Sequence, residues 1–432
     1  MIGKSMRRGL LALSPIAVLL TIYLAGSIVA GDFYRIPIAV SFVVAAVYAV
    51  AITRGETLAE RIDRFSQGAA NTRIMLMVWI FVLAGAFAAV AKAMGAVDAT
   101  VNFTLCFIPG NYLPAGIFLA TCFISMSIGT SVGTIVALTP VVTAIASQLG
   151  CDVAWLVAIV VGGAFFGDNL SFISDTTIAA TQTQGCSMRS KFRTNIMLVL
   201  PAALFTLLMY AFSGASLTEA VGGSVSPSDW VKVIPYIIVI AAALFGINVL
   251  LVLILGIVTA FIIGLSFGEF DVIGFFSAAG EGIQSMCELI IITMLAGGLL
   301  EIVRANGGID FLIRIVTLRI RSRRLAEFAI VLLTMLANIC TANNTIAILT
   351  VGTISREMSQ KYGIAPRRAA SLLDTASCFV QGVLPYGAQL LMASGLAAVS
   401  PLAIIPHLYY PMCVGIVLLL SIMLRPQRKT VL

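Results

Sequence analysis

The stretch Gly167-Asp168-Asn169-Leu170-Ser171-Phe172-Ile173-Ser174-Asp175-Thr176-Thr177 places two carboxylates, an amide and four hydroxyls inside an otherwise apolar segment. An acid at membrane depth costs kilocalories, and its presence marks a functional site by default. The competing reading is a surface loop in which an aspartate caps a helix. Apolar residues crowd the run on both sides, which favours a helix broken inside the bilayer. Such breaks are tolerated at that depth only where they line a protein-enclosed or watery cavity.

The rest of the chain supports this setting. Of 432 residues, 60% are hydrophobic and 10% charged, and the mean hydropathy is +1.07. A soluble chain would carry roughly 25% charged residues. Apolar runs of about 20 residues, enough to cross a ~30 Å hydrocarbon core, recur from end to end. The net charge of +7 sits in short clusters between apolar segments, as topology signals do, so nucleic acid is not an expected partner. Eight cysteines show no CxxC spacing and read as small packing residues. Lys4, Arg7 and Arg8 before an apolar run ending Ser27-Ile28-Val29-Ala30 fit a signal peptide, but a later counterpart argues for a retained first span.

That counterpart belongs to an internal repeat. At an offset of about 212 residues, Ser14-Pro15 meets Ser226-Pro227 and Leu83-Ala84-Gly85 meets Leu295-Ala296-Gly297. Gly95-Ala96-Val97-Asp98 meets Gly307-Gly308-Ile309-Asp310, each preceded by a base, Lys92 or Arg304. With one residue of slip, Thr130 and Thr134-Ile135 meet Thr341 and Thr345-Ile346. Charge sets the orientation of the copies. The loop Arg54 to Arg73 holds Arg54, Arg61, Arg64 and Arg73, whereas its counterpart, Ser266 to Gln284, holds no Lys or Arg. The stretch after Lys92 stays free of them until Arg189, whereas its counterparts hold Arg314, Arg319, Arg321, Arg323, Arg324, Arg356, Lys361, Arg367 and Arg368. Basic short loops stay in the cytoplasm, so equivalent loops must face opposite sides.

The expectation is an all-α polytopic membrane protein of two inverted-topology repeats, residues 1–212 and 213–432, in one integral membrane domain. It has broken helices, re-entrant hairpins and about 12–14 membrane segments. Spans fall near 12–30, 36–52 and 74–93, then a hairpin over 114–147 turning at Gly129 to Gly133. A broken span near 154–184 returns to the basic cluster Arg189, Lys191, Arg193, and a span at 196–212 leads out. The second half repeats this upside down to an Arg425, Arg428, Lys429 tail. Both termini are cytoplasmic and the location is the cell inner membrane.

Inverted repeats with broken helices belong to secondary transporters, whose substrates sit near the midplane. Asp168 and Asp175, seven residues apart, would share a face of a continuous helix. Sodium is a hard cation, satisfied like other hard cations by carboxylate, carbonyl, amide and hydroxyl oxygens. Asp168, Asn169, Ser171, Ser174, Asp175 and Thr176 offer these groups, with the two aspartates as the sodium-binding carboxylates. The breaks at Gly129 to Thr134 and Thr341 to Thr345 add Thr130, Ser131, Asn343, Asn344 and Thr345 as hairpin tips converging on one site. The competing reading is polar residues bonding across packed helices.

Buried acids without partners would suit proton carriage near neutral pH. Asp168, Asp175, Asp374 and Glu288 are the candidate carriers; a helix start for Asp374 and an ion pair for Glu288 are the structural alternatives. Glu301, Lys92 and Arg304 sit nearer segment ends and would snorkel. The stretch Gln381 to Gln389, broken at Pro385, aligns with the Asp168 run and would help complete the site through carbonyls. His407, the one histidine, reads as interfacial.

The run Gly167 to Thr177 with its continuation Ile178-Ala179-Ala180-Thr181 resembles the signature of NhaC-type sodium/proton antiporters, Gly-Asp-(Asn/Lys)-Leu-Ser-Pro-(Ile/Leu)-Ser-Asp-Thr-Thr. Ten of eleven positions are met, and Phe172 stands in place of Pro. The resemblance implies the ion-transporter superfamily fold, a homodimer, and Asp168, Asn169, Ser171, Asp175 and Thr176 near the ion. Some relatives also exchange organic acids.

Sodium/proton antiport by alternating access is therefore the leading expectation, with sodium, protons and the lipid bilayer as partners and no cofactor. The alternative is a sodium- or proton-coupled exchanger of small organic acids or amino acids. That would want a buried base or helix N-terminus, and the sequence offers no convincing buried Arg or Lys. An enzyme is not expected, because neither HExxH nor GxxxxGK[ST] occurs. No filter-type repeat suggests a channel, and no soluble domain suggests an ATP-driven pump.

Overall fold

The structure is a computed structural model that describes residues 2–30, 38–55, 57–107, 112–171, 174–213, 226–245, 247–318 and 320–424. Among these residues the regular structure is entirely helical. The first half carries α1 (Ile2–Ala30), α2 (Ile38–Ile52), α3 (Leu58–Ala69), α4 (Thr72–Ala93), α5 (Ala96–Phe107), α6 (Leu113–Ile128), α7 (Ser131–Leu149), α8 (Val153–Leu170), α9 (Asp175–Gln184) and α10 (Met188–Ser213). The second carries α11 (Pro227–Lys232), α12 (Ile234–Leu244), α13 (Val249–Phe267), α14 (Val272–Ser285), α15 (Cys287–Ala305), α16 (Gly308–Thr317) and α17 (Arg323–Thr341). It continues through α18 (Asn344–Lys361), α19 (Pro366–Val383), α20 (Ala388–Ala397), α21 (Pro401–Ile404) and, after a 3₁₀ turn at Ile405–His407, α22 (Tyr409–Met423).

The helix bounds of the two halves run parallel along the chain. A shift of about 212 residues carries α4 onto α15, α6 onto α17, α7 onto α18, α8 onto α19 and α9 onto α20. Packing between the halves is reciprocal. α4 lies on α13 and α14 while α15 lies on α2 and α3; α7 touches α20 while α18 touches α9.

Two bundles result. α6–α10 pack with α17–α22, and α1–α4 pack with α11–α16; α5 against α7 and α16 against α17 are among the few joints between them. Glycines bring the second bundle's helices close. A Cβ on Gly85 would strike the Gly282 carbonyl, and one on Gly297 the Gly68 carbonyl, the small-residue approach that membrane helices favour.

Eight stretches among the described residues are long and apolar enough to cross a bilayer, nine if the pair Pro366–Ala397 and Pro401–His407, bent by 101°, counts as one span. Ile38–Ile52, Leu113–Met126 and Tyr409–Met423 are shorter and apolar. The chain is a multi-pass membrane protein with broken helices.

Two expected loops are helices. Residues 54–73 contain α3, opened by a capping box in which the Thr57 side chain accepts from Glu60 N and Glu60 reaches back to Thr57 N. α3 keeps Gly68 and Ala69 buried and its charges outward, so a 3.6-residue pattern hid inside a polar segment. Residues 266–284 contain most of α14, capped by Asp271 accepting from Gly274 N at 2.7 Å. The basic tail from Arg425, and Arg319, lie outside the described residues.

Candidate ion-binding site

Four helix ends build the site. α6 stops at Gly129, whose φ of 75° is left-handed, and Thr130 (φ −142°, ψ 125°) turns the chain into α7. Its counterpart stops at Ala342, φ 48°, and Asn343 (φ −146°, ψ 116°) opens α18. A left-handed residue other than glycine costs roughly 1–2 kcal/mol, and strain of that kind is held at functional sites by the surrounding structure. Asn343 secures the turn by accepting from Ile346 N at 3.0 Å. The other two ends are the breaks of the long broken helices, Ser171 to Ser174 between α8 and α9, and Leu384 to Gly387 between α19 and α20. Phe172, the departure from the family pattern, lies with Ile173 outside the described residues.

Asp168, in the last turn of α8, is 5% exposed. Its Oδ1 accepts from Ser174 Oγ, and its Oδ2 from Ser131 Oγ at 3.0 Å and Asn344 Nδ2 at 3.3 Å. The carboxylate is thus held by its own break and by both hairpin tips. Ser174 Oγ also lies 2.9 Å from Thr176 Oγ1. Behind Ser131 runs an amide relay from the second half. Gln381 Nε2 donates to Gln389 Oε1 at 2.9 Å and to Ala342 O at 3.0 Å, and Gln389 Nε2 donates to Ser131 Oγ at 3.0 Å.

A cavity of about 230 Å³ gathers Gly129, Thr130, Ser131, Asp168, Asp175, Thr176, Asn343, Asn344, Thr345 and Gln389 on its wall, closed by Val132, Leu76 and Met77. At ~30 Å³ per water in the liquid, it has room for a cation and several waters. Asp175 is exposed and opens α9, where the positive end of the helix dipole favours an anion. The break brings it to Asp168's cavity, so no continuous helix face is needed. Because α7, α9, α18 and α20 all begin around this space, two carboxylates sit among backbone N–H donors and neutral oxygens.

Met77 and Asn343 also line an adjoining cavity of about 100 Å³, with Asn71, Glu301, Arg304 and Tyr386 on its wall. Glu301 and Arg304, expected to snorkel, line this adjoining cavity, Glu301 half-buried and Arg304 exposed. A larger cavity of about 740 Å³ lies at the repeat-related place, against Gly85, Lys92, Asp98 and Ala397.

Several expected residues lie elsewhere. Asn169 is fully buried, and its side chain accepts from Asn195 Nδ2 at 3.4 Å away from the cavity wall. Ser171 is buried at the α8 cap. Asp374 is not a lone acid: at 0% exposure it pairs with Lys191, itself 1% exposed. In the sequence Lys191 stands between Arg189 and Arg193, a pattern that predicts a cytoplasmic cluster and no buried base. In fact Arg189 and Arg193 are exposed and Lys191 turns inward. The signal lay in α10, where the buried stripe Asn195, Val199, Ala202, Thr206 and Tyr210 projects back onto Lys191. Glu288 is exposed in the first turn of α15, because the chain breaks at Met286 and leaves it at a helix N-terminus, a favourable place for an acid. His407 Nε2 sits 3.3 Å from Asp152 Oδ2, and both are partly exposed. The Gln381 to Gln389 stretch reaches the site through amides, where carbonyls were expected.

The chain is similar to proteins already known. The model of the family described as "Na+/H+ antiporter family" matches residues 9–215 and 224–424. The Na(+)/H(+) antiporter NhaC of Bacillus subtilis (strain 168) is 23% identical over 372 residues, 78% of this chain and 80% of that one. The NhaC antiporter of Alkalihalophilus pseudofirmus OF4 is 25% identical over 340 residues, 72% of this chain and 73% of that one. Among solved structures, the Alcanivorax borkumensis YdaH transporter aligns with a TM-score of 0.38 and 14% identity, covering 84% of this chain and 86% of that one.

Proposed function

The chain belongs to the Na+/H+ antiporter family, and on that premise we propose that it exchanges sodium for protons across the membrane at the Asp168 cavity. One observation carries the assignment of the site: Asp168 and Asp175 face a single cavity that both hairpin tips close. Two carboxylates with hydroxyl and amide oxygens suit a small hard cation. Sodium binds the ionised pair, and protonation of the pair releases it, so the two ions compete for the same oxygens. Ser131, Thr130, Asn343, Asn344, Thr345 and Thr176 supply neutral ligands, and Ser174 orients Asp168. The family membership supports a carrier.

The remaining topology belongs to the same proposal. Residues 1–212 and 213–432 are inverted repeats, related by a twofold axis in the membrane plane, as the opposed Lys/Arg clusters require. Both termini are then cytoplasmic and the protein sits in the cell inner membrane, as a homodimer. In this orientation the Arg304 cavity faces the cytoplasm and the Lys92 cavity the outside. Only the former shares residues with the site, which supports an inward-accessible state. Alternating access follows when the α6–α10/α17–α22 bundle moves against the other.

The test is exchange in everted vesicles from antiporter-deficient cells. After acidification, sodium should alkalinise the lumen, and Asp168→Asn or Asp175→Asn should abolish the response. No response to sodium, lithium or potassium from folded, well-expressed protein would sink the proposal.

A further inference from the structure

Behind the ion cavity lies a buried charge pair to which the exchange cycle gives no task. Lys191 Nζ donates to Asn169 O at 2.7 Å and to Thr177 Oγ1 at 2.8 Å, and it pairs with Asp374. Asn169 belongs to the last turn of α8 and Thr177 to the first turn of α9. One ammonium therefore spans the break that separates Asp168 from Asp175. Its three hydrogens meet three acceptors, the full complement of a lysine.

One turn further along α10, Asn195 repeats the connection. Its Nδ2 donates to Asn169 O at 2.8 Å and to Asp374 Oδ2 at 3.3 Å, while its Oδ1 accepts from Ser371 Oγ at 2.6 Å and Thr375 Oγ1 at 3.1 Å. The cluster is sealed: Asn195, Ser371 and Thr375 are all at 0% exposure. Two α10 side chains thus bond one α8 carbonyl, one peptide unit from Asp168, and α19 closes the cluster on those same two side chains. A charge this deep is retained only with excellent geometry, since well-packed apolar residues of similar volume are often as stable.

The geometry points to Lys191 as a positioning residue of the ion site, and we propose that Asp374 is its fixed counter-charge and not a proton carrier. Lys191 satisfies the carbonyl end of α8 and the start of α9 together, and so fixes the spacing at which Asp168 and Asp175 share one cavity. Asp374 cancels the ammonium, which would otherwise oppose a cation bound beside Asp168. The net charge facing the cavity is then that of Asp168 and Asp175 alone. This inference rests on the sodium/proton reading of the cavity.

The experiment compares wild type with Asp374→Asn, Lys191→Gln and Lys191→Gln/Asp374→Asn. It measures sodium KM and maximal rate in everted vesicles, and melting temperature in detergent with and without sodium. Removing only the counter-charge leaves an uncompensated buried ammonium, so Asp374→Asn should raise the sodium KM by about tenfold or more. In the double variant both charges go while amides still span the break, and coupled residues behave non-additively; its KM should return to within about threefold of wild type. Asp374→Asn with a wild-type KM and melting temperature would overturn the proposal. If Asp374→Asn does not fold, the double variant decides: a near-wild-type KM supports the proposal, and a KM raised about tenfold overturns it. Should wild type itself show no sodium-dependent proton flux, the exchange reading fails. Lys191 and Asp374 are then judged on melting temperatures, where additive losses overturn the pairing and non-additive losses support it.

Discussion

Ser131 is the link through which the second half of the chain acts on the carboxylate of the first. Its hydroxyl donates to Asp168 Oδ2 at 3.0 Å and accepts from Gln389 Nε2 at 3.0 Å, and all three side chains are at most 5% exposed. Ser131→Ala removes one hydrogen bond to a charged group, worth about 1.5–3 kcal/mol, and one neutral bond, worth about 0.5–1.5 kcal/mol. Asp168 keeps Ser174 and Asn344 as donors, and a water can enter the space vacated by the hydroxyl, because the site is polar. The net loss should therefore fall near the low end, about 2 kcal/mol. At ~1.4 kcal/mol per decade this is roughly 30-fold in sodium affinity. Initial rates of sodium-driven alkalinisation in everted vesicles, measured against sodium concentration at fixed pH, would read it as a raised KM. Ser131→Thr, which retains the hydroxyl, should stay near wild type. Gln389→Ala should also raise KM, but by less in a Ser131→Ala background, because its effect passes through the missing hydroxyl. A Ser131→Ala protein with wild-type KM, or strict additivity with Gln389→Ala, would show that the relay does not support the site.

Other expectations concern stability. Arg368 Nε donates to Glu327 Oε2 at 3.1 Å, and both residues are buried; Arg368→Met should cost about 3–5 kcal/mol, less what Arg323, 3.6 Å from Glu327, restores. Glu327→Leu/Arg368→Met should melt above the single variant, and a lower melting temperature would contradict the account. Gly85→Leu and Gly297→Leu, each against a backbone carbonyl across the crossing, should lower melting temperature by overpacking of about 1–3 kcal/mol or more; Gly268→Ala, with nothing near its added Cβ but a φ of 68°, should show only the backbone penalty. The Glu60 carboxylate is held below its ordinary range, first by the Thr57 backbone N–H and then by the Thr57 hydroxyl. Its contribution to the α3 cap is complete above the ordinary carboxylate range and fades as the pH falls through the lowered value. Protection of the amides around residues 57–60, measured as exchange relative to the intrinsic rate at each pH, should therefore fall at acidic pH in wild type and be low already at neutral pH in Glu60→Ala.

Much of the fold was legible because a bilayer restricts what a sequence can do. Long apolar runs force helices, and a shift of about 212 residues, the offset of the sparse identities from Ser14-Pro15 to Thr134-Ile135, also relates the bounds of α4 and α6–α9 to those of α15 and α17–α20. The cavity residues were legible for a related reason: Asp168, Ser131 and Asn344 stand out where all else is apolar. What escaped the reading was polar chemistry whose partner lies far away in the chain. Asp374 looked alone because Lys191 is 183 positions earlier, among two exposed arginines. Gln389 was expected to help complete the site through a carbonyl, because the bond that its side-chain amide makes depends on Ser131, 258 residues away. Conversely, Glu288 looked buried because hydropathy does not register the break at Met286 that leaves it exposed. Charge in α3 likewise masked a helix whose buried side consists of little more than Gly68 and Ala69.

The proposed repeat would also explain why the site is one-sided. With one residue of slip, Asp168 of α8 corresponds to Gln381 of α19, and Asp175 of α9 to Ala388 of α20. Both halves keep the hairpin and the break, yet only the first keeps carboxylates. Four acids around one small cavity would repel one another at low dielectric, and several would stay protonated. With amides in the second half, the same backbone instead aims donors at Asp168: Gln381 toward Gln389, Gln389 toward Ser131, and Ser131 toward the carboxylate. Asn344, from the second hairpin tip, completes this supply. One copy therefore provides charge and the other provides its orientation, so neither half encloses a complete site without the other. A movement that separated the two hairpin tips would dismantle the ligand set, whereas one that carried both bundle halves together would transport it intact.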